Sequence, residues 1–508
     1  MSTKTMLTCV LSLHSHSIQS FCHIHNLYKF AEKKSNRLFV ESISNFIDTL
    51  SGYVWGWPMI ALLLGTHIFL TIKLKFPQRK ILTALRLSLK KDDGSTGDVS
   101  QFGALATSLA ATIGTGNIIG VATAVSLGGP GAVFWCFLTG IFGIATKYGE
   151  GLLAMKYRVK TENGEILGGP MYALEKGLGM KKLAILFCVF TSLAAFGIGN
   201  AVQSKAISDN ITQYCTFIDP STCRMIIGFI IAGLVTIVIF GGVKKITKIC
   251  SCLVPIMALF YVLGCIYILL VNHSYLWEAL CWICSDAFSF KAGVGGAAGV
   301  AIMTTMRYGI ARGLFSNEAG LGSAPIIAAA AKSKNPVRQA LVLSSGVFWD
   351  SVVICTLTGL VIVSSILAYD SIDIKSTGVL TQLAFGKIPY VGMPILTIGI
   401  VTFAFSTILG WCYCGEKSVE YLGGKRMIRP YRIVWIFVSF IGSTLGLSLV
   451  WNISDIMNAF MAVPNLISVL LLSKVIVKDT KHYLWDGNLE EEEMNEFDVR
   501  KKSFLGDI

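Results

Sequence analysis

The sequence predicts an all-α polytopic membrane protein, built as a 5+5 inverted repeat with one extra amino-terminal span. Of its 508 residues, 53% are hydrophobic and only 14% are charged, whereas soluble domains carry nearer one quarter charged residues. The apolar runs are long and continuous, unlike the alternating strands of outer-membrane barrels. Lys and Arg recur in every second loop. Together these observations exclude a disordered chain and argue against a soluble enzyme.

Eleven apolar segments approach or exceed the roughly 20 residues that cross a bilayer. They are 53–73, 101–127, 131–155, 183–207, 224–243, 249–271, 296–331, 338–366, 388–413, 432–450 and 453–474. The chain thereby divides into a polar tail (1–52), the extra transmembrane helix (53–73), a first repeat (101–271), a second repeat (296–474) and a carboxyl-terminal tail (475–508). The seventh segment is too long for one helix and contains Gly and charged residues, which predicts two half-helices.

The distribution of positive charge predicts the orientation of the spans. Loops such as 208–223, 272–290 and 451–452 carry almost no Lys or Arg, while the alternate loops are basic. The positive-inside rule places the basic loops in the cytoplasm, with the amino terminus outside and the carboxyl terminus inside. Basic residues at 29–37 conflict with this orientation, but the ten downstream loops outweigh one tail. The acidic run Glu490–Glu493 predicts a solvated tail.

Cysteine usage leaves one question open. Most of the 14 Cys fall within apolar runs and are interpreted as small buried hydrophobic residues. Cys215 and Cys223 flank a short polar loop, where a disulfide is possible only if that loop faces an oxidising compartment.

The first interruption of a helix falls midway along the second span, at Gly114-Thr115-Gly116-Asn117. One interpretation is helix packing, because Gly116 and Gly120 form a GxxxG pair. The other is an unwound turn, which frees backbone N–H groups beside a half-helix N-terminus and suits a carboxylate.

The second interruption lies in the seventh span. Arg312 and Glu318 are a candidate ion pair, which would leave Phe315, Ser316 and Asn317 to meet a ligand. Charged residues within a span are usually paired, face the protein interior and mark function. The two interruptions open corresponding segments of the two repeats, the arrangement typical of a transporter binding site.

The third span of the second repeat carries neighbouring hydroxyls. Ser406 and Thr407 can offer two oxygen ligands to a small cation, or can bond back to their own helix. Thr407 and Trp411 are four apart and share a helix face. In the matching span of the first repeat, Asn200 and Gln203 are three apart and can face one cavity.

A set of motifs resembles the alanine/glycine:cation symporter family over about residues 95–475. They lie at Gly114–Arg158, Gly168–Tyr172, Arg312–Pro325, Asn335–Gln339, Phe405–Trp411 and Met461–Leu466. Two departures are Ser351, where the family pattern suggests Thr, and the stretch Cys250–Cys252, which replaces a more polar one. Ser351 keeps the hydroxyl.

The resemblance implies a leucine-transporter-like core and sodium-driven uptake of small neutral amino acids. It implies that Gly114–Asn117 hold the substrate carboxylate with help from Gln203. Thr407 and Trp411 would line the same pocket, with Trp411 limiting side-chain size. Ser406 and Thr407 would bind sodium together with a backbone carbonyl at Gly114.

The predicted function is therefore secondary active transport in the cell (inner) membrane, by a monomer with no cofactor beyond Na⁺ as coupling ion. Its partners are a small neutral amino acid, Na⁺ and the lipid bilayer, with no nucleic acid. Proton coupling is the alternative, and Asp350 is open both to a structural pairing and to a proton role. A channel is less favoured because selectivity filters need symmetric rings. The spans contain no HExxH or GxSxG motif, which would indicate an enzyme.

Overall fold

The structure is a computed structural model that describes residues 46–47, 49–90, 95–289, 298–444 and 447–493. Two units are distinguished, Met1–Tyr53 and Val54–Ile508. The described residues of the first unit are helical, and most of the predicted tail 1–52 lies outside the described residues.

The first half of the larger unit contains ten α-helices of eight or more residues, a three-residue helix (Pro170–Tyr172) and one short hairpin among its described residues. The helices are α1 (Trp57–Lys73), α2 (Ile81–Ser88), α3 (Gln101–Thr112), α4 (Ile119–Gly128), α5 (Ala132–Lys156), α6 (Lys181–Phe196), α7 (Val202–Thr212), α8 (Pro220–Ile239), α9 (Gly242–Val271) and α10 (His273–Ala287). Strands β1 (Val159–Lys160) and β2 (Ile166–Leu167) pair antiparallel, with Val159 opposite Leu167. A π-helical turn, Gly197–Ala201, joins α6 to α7.

The second half contains nine α-helices among its described residues. The helices are α11 (Ala298–Asn317), α12 (Ser323–Ala328), α13 (Pro336–Val347), α14 (Thr356–Ala368), α15 (Leu380–Gly386), α16 (Gly392–Gly423), α17 (Ile428–Gly442), α18 (Leu447–Leu471) and α19 (Ser473–Asp479). A π-helical segment, Phe348–Cys355, joins α13 to α14.

Among the described residues, eight helices are long and apolar enough to cross a membrane, or nine if the bent pair α3–α4 is one span. The predicted count of eleven is therefore not confirmed. The two predicted segments without such a helix are 296–331 and 432–450. The first is interrupted and carries Arg307 and Arg312, while α17 in the second has only 15 residues.

Both predicted interruptions are present. The helix axis bends by 60° between α3 and α4, and α11 ends six residues before α12 begins. At the second interruption Gly320 and Gly322 have φ of +92° and +85°, which residues with a Cβ rarely adopt. Glu318 shares this left-handed conformation with a φ of 53°, so the α-helix cannot continue through it.

Packing buries several polar and charged residues within the hydrophobic core and leaves many large apolar residues on the surface. Helix α5 packs against α11 and α13, and α16 packs against α3, α6 and α9. Trp411 and Lys147 are buried, whereas Phe229 and Leu263, on α8 and α9, are 67% and 56% exposed. Large apolar surface of this kind marks membrane contact, which agrees with a multi-pass membrane protein.

The acidic run of the carboxyl-terminal segment is exposed at Glu490–Glu492, as the sequence predicts, but the segment also forms ion pairs with the rest of the protein. Glu490 forms ion pairs with Arg338 at 2.8 Å and Lys334 at 3.2 Å, and Glu493 pairs with Lys156 at 3.0 Å. The physical reason is Arg338, whose side chain is almost fully buried and needs an anion.

Candidate functional site

A small, narrow cavity of ≈ 10 Å³ lies beside the interruption between α3 and α4. Its lining residues are Ala111, Thr112, Gly114, Gly116, Ile198, Gln203, Phe315, Glu318, Thr407 and Trp411. Cavities for drug-sized ligands run from about 300 to 1,000 Å³, whereas this space has about the volume that one water molecule needs, so its walls lie close together in this conformation. Of the predicted substrate residues, Gly114, Gly116, Gln203, Phe315, Thr407 and Trp411 line it.

The backbone at the first interruption is held open by side chains. The Gly114 N–H donates to Asn117 Oδ1 at 2.9 Å, and the Thr115 N–H donates to Gln203 Oε1 at 3.2 Å. A Cβ on Gly114 would lie 2.6 Å from Thr407 Oγ1, and one on Gly116 would lie 3.2 Å from the Phe315 ring. The chain therefore needs glycine here to bring its backbone to the cavity.

The predicted cation-binding hydroxyls lie on α16, at the edge of this interruption. Thr407 Oγ1 lies 3.0 Å from the Phe403 carbonyl and 3.2 Å from the Ile113 carbonyl, and its single proton can be donated to either one. Ser406 Oγ donates to the Phe403 carbonyl at 2.9 Å. Both hydroxyls thus bond back to their own helix, and Thr407 also reaches the interruption. The carbonyl beside Thr407 belongs to Ile113, one residue before the expected Gly114, whose carbonyl accepts the Asn117 N–H.

Trp411 is fixed by an acidic side chain. Its indole Nε1 donates to Glu318 Oε1 at 2.9 Å, and Ser323 Oγ donates to Glu318 Oε2 at 2.5 Å. The predicted Arg312–Glu318 pair is wrong, since Arg312 Nη1 lies 3.9 Å from Asp455 Oδ2. Residues six apart on a helix are separated by roughly 240° around its axis, and Glu318 also lies beyond the end of α11.

Three other predicted residues lie behind the cavity rather than in its lining. Asn117 Nδ2 donates to Asp350 Oδ1 at 2.7 Å, and Ser316 Oγ donates to Asp350 Oδ2 at 3.0 Å. Asn317 Nδ2 donates to Ser351 Oγ at 3.1 Å, and that hydroxyl donates to Asp350 Oδ2 at 2.9 Å. Asp350 is fully buried, and its hydrogen bonds join the two interruptions.

Asn200 does not face the cavity that Gln203 lines. Its Nδ2 donates to the Trp435 carbonyl at 2.8 Å, and its Oδ1 accepts from Ser439 at 2.8 Å. The expectation of a shared cavity is therefore wrong for Asn200. It lies in the π-helical turn between α6 and α7, where i→i+5 bonding alters the angular spacing of side chains.

Sequence reasoning missed two charged residues of α5. Lys147 Nζ donates to the Glu318 carbonyl at 3.1 Å. Glu150 Oε1 accepts from Asn465 Nδ2 at 2.5 Å, and the same amide donates to the Gly320 carbonyl at 2.8 Å. These contacts hold the loop between α11 and α12. The sequence does contain a signal for Lys147 and Glu150, because charged residues are uncommon within an apolar span and usually mark a functional site.

The cysteine question is answered in part by the loop before α8. Cys215 and Cys223 are both free thiols here. A hydrogen bond with Cys223 raises the pKa of the Cys215 thiol, so the two side chains are neighbours.

Comparison with known proteins gives consistent results. The model of the sodium:alanine symporter family matches residues 40–498. The chain is 50% identical to the sodium/alanine symporter AgcS of Methanococcus maripaludis, over 86% of this chain and 97% of that protein. It is 36% identical to a probable sodium/glutamine symporter, GlnT, of Bacillus subtilis, over 87% of this chain and 91% of that protein.

A solved structure shows the same fold. The crystal structure of MhsT in complex with L-phenylalanine superposes with a TM-score of 0.55 at 15% identity, over 75% of this chain and 90% of that chain. MhsT has a leucine-transporter-like fold, and this chain shares it.

Proposed function

The chain belongs to the sodium:alanine symporter family, and on that premise we propose that it imports alanine- and glycine-type amino acids with Na⁺ by alternating access. One observation carries the proposal. A small cavity is bounded on one side by the glycine backbone of a broken helix and on the other by Thr407 and Trp411.

The substrate carboxylate is assigned to the interruption at Gly114–Asn117. Half-helix N-termini present backbone N–H groups and a positive dipole end, both of which favour a carboxylate. Gln203 supports this assignment, because it lines the cavity and already accepts the Thr115 N–H. Asn117 acts indirectly, by holding the Gly114 N–H in place.

The side chain of the substrate is assigned to the space between Phe315 and Trp411. Both rings line the cavity, and Trp411 is held by Glu318. Ser316 and Asn317 support the site from behind, through the network around Asp350. A site walled by fixed aromatic rings favours small side chains over branched or aromatic ones.

Sodium is assigned to Ser406, Thr407 and a carbonyl of the first interruption. The carbonyl of Ile113 is the best-placed candidate, with Gly114 next to it. No carboxylate lies in the Ser406–Trp411 stretch, so neutral oxygens and the substrate carboxylate would balance the charge. This shared ion would couple substrate binding to Na⁺ binding.

We also propose eleven crossings in a 5+5 inverted repeat. Under this proposal α11 with α12 forms one crossing and α17 another, in addition to the nine apolar spans. The basic loops remain the support for an outside amino terminus and a cytoplasmic carboxyl terminus.

Counterflow tests the proposal. Liposomes that contain the purified protein are loaded with unlabelled alanine and diluted into a trace of labelled alanine, with equal Na⁺ on both sides. We expect a transient accumulation of label that disappears when choline replaces Na⁺. Label that only equilibrates would instead indicate a channel, and accumulation without Na⁺ would refute sodium coupling.

A further inference from the structure

We propose that the carboxylate of Glu318 binds the ammonium group of the amino-acid substrate. This inference rests on the proposed function and deepens it, since it assigns the second charge of the zwitterion. The starting observation is that Glu318 is the one charged residue among the ten described residues that line the cavity. Its side chain is also almost completely buried, at 2% exposure.

The carboxylate has unused acceptor capacity. Oε1 accepts from the Trp411 indole and Oε2 accepts from the Ser323 hydroxyl. An ionised carboxylate offers about four lone-pair positions, so each oxygen can accept one further hydrogen bond. The two existing bonds fix the carboxylate at the cavity wall without saturating it.

The electrostatic surroundings favour a cation at this place. Glu318 directly follows α11, and the carbonyl end of a helix carries partial negative charge. The Lys147 ammonium interacts electrostatically with Glu318, Glu150 and Asp350. One Lys among three carboxylates leaves this buried group with two negative charges in excess when all three acids are ionised. Because an isolated buried charge is costly, an arriving ammonium would balance part of that excess.

The two charges of the substrate would then have separate sites. The interruption between α3 and α4 would hold the carboxylate, and the loop after α11 would hold the ammonium. A ligand with the carboxylate alone would bring a second anion next to Glu318 and would be repelled. This arrangement would select amino acids against organic acids of the same size, such as lactate or propionate.

A purely structural role for Glu318 makes a different prediction. If the residue only anchors Trp411, an amide should serve equally well, because the Gln oxygen can still accept the indole N–H. Glu318→Gln therefore removes the charge and keeps the size and the acceptor. Trp411→Phe removes the indole donor and keeps the charge.

The test measures competition against labelled alanine in proteoliposomes, with unlabelled alanine and L-lactate as competitors. In the wild type, alanine should compete far better than lactate. In Glu318→Gln the alanine concentration for half-inhibition should rise roughly 10- to 100-fold, the scale of a lost hydrogen bond to a charged group. Lactate should compete against labelled alanine in Glu318→Gln at least as well as it does in the wild type. Trp411→Phe should retain the wild-type preference for alanine over lactate.

The control is Glu278→Gln, an exposed acid on α10, which should behave as the wild type. An unchanged alanine-to-lactate ratio in Glu318→Gln would overturn the inference. Equal competition by lactate and alanine in the wild type would also overturn the inference, and this result does not depend on whether a variant folds. Failure of the proposed function would show differently, as the absence of Na⁺-dependent alanine uptake by the wild type.

Discussion

Trp411 is the residue whose side chain most directly limits the cavity. It is fully buried, it lines the cavity and its indole is fixed by Glu318. Trp411→Ala should therefore admit larger substrates, and the uptake of leucine relative to alanine should rise by about tenfold or more, the scale of discrimination in apolar pockets. Trp277→Ala, at a residue that is 76% exposed, is the matched control. An unchanged ranking of substrates in Trp411→Ala would show that another residue filters size.

Thr407 is the residue that tests the sodium site. Its hydroxyl lies between α16 and the first interruption, so its loss removes one oxygen from a compact set. Thr407→Ala should weaken the binding free energy of Na⁺ by about 1–3 kcal/mol, the scale of an unsatisfied buried polar group. The Na⁺ concentration for half-maximal uptake should then rise roughly tenfold to over a hundredfold. Ser364→Ala, a buried hydroxyl that bonds within its own helix, should have little effect. Equal small effects from both changes would remove Thr407 from the sodium site.

At the scale of elements, the interruption between α3 and α4 depends on glycine at one position more than at others. A Cβ on Gly114 would meet Thr407 Oγ1 at 2.6 Å, whereas a Cβ on Gly120 would meet nothing within 4 Å. Gly114→Ala should therefore abolish or severely reduce alanine uptake. Gly120→Ala should transport normally, with the small gain in helix stability that Ala brings. Comparable uptake by the two variants, at equal expression, would contradict the assignment of the interruption to the binding site.

The carboxyl-terminal segment, which follows the last membrane-spanning helix, has a pH dependence of its own. Its Glu490 accepts from Arg338 and Lys334, and these contacts lower the pKa of the carboxyl to about 2. Because this pKa is lower than the ordinary pKa of Glu, about 4.3, the ionised carboxylate stabilises the docked segment at pH values above about 4.3. That contribution is lost as the pH falls toward about 2.

Glu490→Gln should therefore loosen the segment at neutral pH, although Glu493 still pairs with Lys156. We expect faster proteolysis near residues 486–493 than in the wild type, and a weaker dependence of cleavage on pH between about 4.3 and 2. Glu492→Gln changes a neighbouring exposed acid and should leave cleavage unchanged. Equal cleavage of the Glu490 variant and the wild type would mean that this ion pair does not hold the segment.

At the scale of the whole molecule, the sequence was sufficient for the helical class, the two interruptions and most of the cavity lining. Glycine clusters and hydroxyls within apolar runs are local signals, which a single sequence contains. The partners of Glu318 and Asn200 were not predictable in the same way. Glu318 has a left-handed conformation that ends the helical path of the chain, and Asn200 lies in a π-helical turn. Regular helical spacing therefore misplaced both side chains.

The proposed topology is a prediction for the whole chain. Single cysteines introduced at 332–338 and 415–431 should react with a permeant reagent and stay protected from an impermeant one added outside. Residues 208–223 should be labelled from outside in intact cells. Labelling of 208–223 only after permeabilisation would contradict the eleven-span topology.

Sodium-driven accumulation by the purified protein tests the central claim most directly. Proteoliposomes receive labelled alanine under an inward Na⁺ gradient, under an inward proton gradient at equal Na⁺, or under neither. We expect accumulation above the outside concentration only with the Na⁺ gradient, and its collapse when an ionophore dissipates that gradient. Accumulation driven by the proton gradient alone, or no response to Na⁺, would contradict sodium coupling.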